Sequence, residues 1–80
     1  MQVKGFDIEF INKKSGSVRK IKNIPVLYPY GDEDYECARI IFDQIIEKYT
    51  RDGYIYIPED ENTFFIYPIS DICIAVKLHH

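Results

Sequence analysis

The side chains that most often carry chemistry are scarce in this chain and poorly spaced for it. Its two histidines, His79 and His80, stand at the very end. They read as the remnant of a purification tag and are set aside. Without them the chain has no imidazole, so the commonest general base and the commonest transition-metal ligand are both missing. Cys37 and Cys73 lack the CxxC spacing of a metal or redox site and are expected to be reduced, buried or half-buried thiols. As a nucleophile Cys37 would need a neighbouring base that the chain does not supply. The acidic run Asp32, Glu33, Asp34, Glu36 lacks the alternating ligands and central glycine of a calcium loop and suits a helix N-terminus instead. Glu59, Asp60 and Glu61 suit a solvated turn. No glycine-rich phosphate loop is present. The expectation is a protein that is not an enzyme and that uses no cofactor and no metal.

The residues with something to offer are aromatic. Positions 54 to 67 read YIYIPEDENTFFIY, a hairpin that is apolar on both faces. Strand side chains alternate with a period of two, so a hairpin with one wet face should be polar at every second position. A four-residue loop, Glu59 to Asn62, pairs Ile57 with Phe64 and Tyr56 with Phe65. Ile55, Ile57, Phe64 and Ile66 then take the core face, and Tyr54, Tyr56, Phe65 and Tyr67 the other. Tyrosine gives contact area at low entropy cost, so this second face, extended by Tyr28 and Tyr30, is the expected binding surface. A competing reading makes it a second packing layer of strand-favouring residues.

Basic residues gather on the first hairpin. Arg19, Lys20 and Lys22 are candidate phosphate contacts beside the tyrosines, as in a nucleotide or cyclic-nucleotide binder. The plainer alternative is cross-strand pairing with Asp7 and Glu9.

The elements that must position these groups follow from pattern. Phe6, Ile8 and Phe10 alternate with polar residues in a first strand of about 2–12. A turn over Lys13 to Gly16 returns it, setting Glu9 opposite Lys20, Asp7 opposite Lys22, Ile8 opposite Ile21 and Ile11 opposite Val18. Tyr28-Pro29-Tyr30-Gly31 breaks the second strand. Asp32 is a good N-cap for a helix to about Arg51, which Gly53 would stop. Tyr35, Ala38, Phe42, Ile45 and Tyr49 form a helical stripe, widened by Ile46, that is expected to face the sheet. Cys37, Ile40, Ile41 and Gln44 then lie on the far side and flank, a candidate oligomer contact. Beyond the aromatic hairpin, Ile72, Ile74 and Val76 alternate in a last strand. The order ββαββ(β) predicts an α+β fold: one mostly antiparallel sheet with a helix across one face, and a single domain over 1–78.

The totals agree. The chain has 80 residues, 46% of them hydrophobic and 15% aromatic, enough to fold but with a thin margin. The formal charge of −3 disfavours non-specific nucleic-acid binding. No apolar run is long enough to span a membrane, and no signal peptide precedes the first strand. A cytoplasmic location is expected. In composition the chain resembles short acidic proteins, rich in Ile, Lys, Tyr and Asn, of phages and mobile elements of AT-rich bacteria. That resemblance implies an inhibitor of a host defence protein. The expected function is therefore a non-catalytic interaction module that binds a protein partner or a second copy of itself. The sequence does not say whether its last strand pairs within the chain or between chains.

Overall fold

The structure is a computed structural model and describes residues 3–27 and 34–80. Tyr28 and Tyr30 of the expected surface, and the expected cap Asp32, lie outside the described residues.

The fold is α+β, and the described residues form six strands, one helix and one 3-10 turn. Strands β1 (Gly5–Asn12) and β2 (Val18–Pro25) form the first hairpin. Helix α1 (Asp34–Tyr49) follows, then β3 (Thr50–Arg51), β4 (Tyr54–Pro58) and β5 (Phe64–Pro68). A 3-10 turn over Ile69–Asp71 leads into β6 (Ile72–His79). The strands form two antiparallel sheets where one was expected, in the orders β2-β1-β6 and β3-β4-β5.

The first hairpin takes the register that its charges and apolar pairs specify, with Glu9 opposite Lys20, Ile8 opposite Ile21 and Ile11 opposite Val18. Asn12 Oδ1 accepts the N–H groups of Lys14 and Ser15, and Gly16 takes a φ of 75°, which closes the loop. Between Phe6 and Ile8 the register shifts. The extra residue is accommodated by Asn23 at a φ of 58°, a conformation asparagine tolerates, and the Asp7 carboxylate accepts the Asn23 N–H at 2.9 Å. Asp7 thus faces a bulge and not Lys22 alone.

The last strand extends further than its alternation suggested. It pairs with β1 without interruption from Asn12 opposite Ile72 to Gly5 opposite His79. β1 is therefore the central strand of its sheet, and Phe6, Ile8 and Phe10 on its inner face are all but completely buried. One core unites the two sheets and the helix. Val3 from the segment before β1 and Ile24 and Ile72 from the first sheet join the β1 residues, with Ile55 and Ile57 from β4, and Cys37, Ile41, Ile45 and Tyr49 from α1. The rings of Phe10 and Tyr49 meet edge to face at 5.6 Å.

The helix presents a different face from the one expected. Cys37, Ile41 and Gln44 are buried and Ile40 is half-buried, whereas Tyr35 and Phe42 are exposed. At 100° per residue the buried stripe is turned by about a fifth of a revolution from the aromatic one. The four residues read as an oligomer flank mostly belong to the interior. Gln44 explains the rotation. Its Oε1 accepts the Leu27 N–H at 3.1 Å and its Nε2 donates to the Pro25 carbonyl at 3.2 Å. A polar residue can occupy the core stripe because both ends of its amide are satisfied there. The helix also stops earlier than Arg51. The Thr50 hydroxyl donates to the Ile46 carbonyl at 2.6 Å. Asp52 and Gly53, both at positive φ, then make a two-residue turn that pairs β3 with β4.

Candidate recognition surface

The second hairpin carries the exposed apolar surface, with a composition one residue out of step from that expected. The observed pairs are Tyr54 with Pro68, Ile55 with Tyr67, Tyr56 with Ile66, Ile57 with Phe65 and Pro58 with Phe64. The cause is the turn. Asp60 Oδ1 accepts the Asn62 N–H at 2.9 Å, and Glu59 N–H bonds the Thr63 carbonyl at 2.9 Å. Three residues, Asp60 to Asn62, close the loop in place of four. A one-residue slip exchanges the faces of a strand. Phe65 and Tyr67 therefore turn inward and pack against the core, half-buried. Phe64 and Ile66 turn outward and take their places beside Tyr54 and Tyr56.

The resulting outer face is a ladder of three rungs: Pro58 with Phe64, Tyr56 with Ile66, and Tyr54 with Pro68. No rung contains a charge. Phe64 is 55% exposed, Ile66 54% and Tyr54 47%, with Tyr56 half-buried between them. Opposed side chains across two strands stand about 5 Å apart, so the six residues form one continuous patch. At one end lies the acidic tip of Glu59, Asp60 and Glu61. The Asn62 N–H, and then the Thr63 hydroxyl, hold the Asp60 carboxyl below its ordinary value of 3.8.

The basic residues are placed elsewhere. Arg19 faces the inner side of β2, stacks 3.7 Å above the Phe65 ring and contacts Glu59 Oε2 through Nη1 at 2.9 Å. It joins the two sheets and is not turned toward a phosphate. Lys20 pairs with Glu9 at 3.6 Å on the outer face of the first sheet. With Lys22, Asp7, Glu9, Ala75 and Lys77 it borders a shallow depression of about 290 Å³ whose lining includes no tyrosine. The structure thus does not bring the stacking and phosphate-binding candidates into one site, and carboxylates already accompany these lysines.

Neither cysteine is in a disulfide. Cys37 is buried, while Cys73, expected to be buried or half-buried, is exposed on the outer face of β6. Among the described residues, no cluster of three or more His, Cys, Asp or Glu could hold a metal ion, and no helix is long and apolar enough to cross a membrane. Phe64 and Ile66 were missed because their placement depends on the loop length. The Asp60-x-Asn62 spacing, which favours a tight side-chain-closed turn, was the available signal.

No family model, curated protein or solved structure matches the chain.

Proposed function

We propose that this domain is a non-catalytic recognition module whose working surface is the ladder of Tyr54, Tyr56, Phe64 and Ile66. One observation carries the reading. Three of these four large side chains are about half exposed on a single uncharged face, although the same hairpin already gives Ile55, Ile57, Phe65 and Tyr67 to the core. Contiguous apolar surface of this kind costs solubility and is characteristic of binding sites. The acidic tip at one end of the ladder selects a protein partner with an apolar groove bordered by basic groups. Inhibition of a host protein, the role that the compositional resemblance implies, is the concrete form of this reading. A nucleotide-sequestering role is the weaker alternative, since Arg19 is engaged by Phe65 and Glu59.

The test is the double variant Phe64→Ser, Ile66→Ser. Cross-linking capture from the source cells should recover a protein with the parent chain and lose it with the variant, with at least about a tenfold drop in affinity. Recovery of the same proteins by a variant with an unchanged melting temperature overturns the proposal.

A further inference from the structure

The four sheet edges are not protected alike. β2 is blunted by Lys20, Lys22, the bulge at Asn23 and Pro25. β5 spans five residues and ends on Pro68, with Arg19 stacked over its Phe65. β3 has two residues. β6 has eight residues, no proline, no glycine and no bulge, and among the described residues no strand pairs with its outer edge. Natural sheets seldom leave such an edge open. The interior is also incomplete there. Ile74, Val76 and Leu78 face inward but are only half-buried, while their neighbours on β1 are fully covered.

We infer that β6 pairs with β6 of a second copy of this chain, joining two three-stranded sheets into one of six. The backbone has the required phase. Lys13 N–H bonds the Asp71 carbonyl across the β1–β6 ladder. By the alternation of antiparallel bonding, Cys73, Ala75 and Lys77 then direct their backbone groups toward β1, and Ile72, Ile74, Val76 and Leu78 direct theirs to the open edge. The Ile72 N–H is already used by the Ile69 carbonyl. A strand that meets its own copy across a two-fold axis places one residue opposite itself. With Ala75 on the axis, Ile74 faces Val76 and Ile72 faces Leu78, so every inward apolar residue of β6 finds an apolar mate. Outside, Cys73 faces Lys77 and no like charges meet. Centring on Val76 would leave Ile72 opposite His80. The Ala75 register forms about six main-chain hydrogen bonds between the copies.

This surface is distinct from the aromatic ladder, so the two readings fail separately. Light scattering on the full chain at micromolar concentration should report a dimer. Ala75→Lys, at an exposed position, places two ammonium groups face to face and should raise the dimer dissociation constant at least about tenfold with the fold intact. In a Cys73→Ser background, Ala75→Cys should oxidise to a disulfide between copies, since facing residues of a non-hydrogen-bonded pair have suitable Cα spacing. The Phe64→Ser, Ile66→Ser variant should remain dimeric. A monomeric parent, a dimer indifferent to Ala75→Lys, an Ala75→Cys chain that does not cross-link, or a dimer dissolved by the Phe64 and Ile66 substitutions overturns the inference.

Discussion

Gln44 fastens the chain leaving β2 to the helix through Pro25 and Leu27, and its replacement isolates the effect. Gln44→Ala removes both hydrogen bonds and opens space beside buried residues, so unfolding stability should fall by about 1–3 kcal/mol in urea titration. A loss within error would mean that water replaces the amide without cost. Nothing in the sequence distinguished this glutamine from a solvent-facing one, because its partners belong to a different element. Asp7 was legible as a charge partner but not as the acceptor of a bulge. The Asn23 N–H first, then the His79 imidazole and the Lys22 ammonium, hold its carboxyl below the ordinary 3.8. His79 Nε2 lies 2.8 Å from Asp7 Oδ1. A depressed carboxyl contributes stability that is present above the ordinary value and is lost as pH falls below it. The stability gap between the parent and Asp7→Asn should therefore hold above the ordinary 3.8 and narrow as pH drops through 3.8 and below. Urea midpoints at several pH values measure this, and a constant gap contradicts it.

At the scale of elements, the existence and type of the helix and the five longer strands were legible, β3 was read into the helix, and orientation was less legible still. The β1–β2 register could be read because opposite charges and apolar mates agree on one alignment. The β4–β5 register could not, because both faces are apolar and either slip looks acceptable. There the turn decides, through the Asp60 side chain. The helix shows the same ambiguity: Cys, Ile and Gln on one stripe compete with Tyr, Phe and Ala on another, and hydrophobicity alone chose wrongly. The hairpin phase gives a sharp contrast between adjacent phenylalanines. Phe65→Ser loses core packing and the Arg19 stacking and should cost about 3 kcal/mol or more. Phe64→Ser, on the outer ladder, should cost less than about 1 kcal/mol. Thermal unfolding of the two single variants decides it. A larger loss for Phe64→Ser than for Phe65→Ser would mean that the expected four-residue loop, and not the observed turn, is correct.

Across the whole molecule, the central strand joins the nearest and the most distant parts of the chain. β1 pairs with β2 through a short loop and with β6 across nearly the full length, as when Gly5 meets His79. Closing the long loop has an entropic cost that only later contacts offset, so local pairing should precede it. Ile24 on β2 and Ile72 on β6 offer a controlled comparison, since both are isoleucines of the first sheet with 8% exposure. Ile→Val at either site should destabilise by about 1 kcal/mol, enough for a usable kinetic ratio. If the first hairpin belongs to the folding nucleus and β6 docks afterwards, Ile24→Val slows folding while Ile72→Val mainly speeds unfolding. Stopped-flow chevrons of the two variants at submicromolar concentration keep self-association out of the measurement. The late docking of β6 also has a consequence for assembly. Its outer edge becomes a template only once its inner edge is paired with β1, so dimerisation should follow folding and show a concentration-dependent phase after the main one. A slowing of folding by Ile72→Val equal to that by Ile24→Val would place β6 in the nucleus and remove the basis for that order of events.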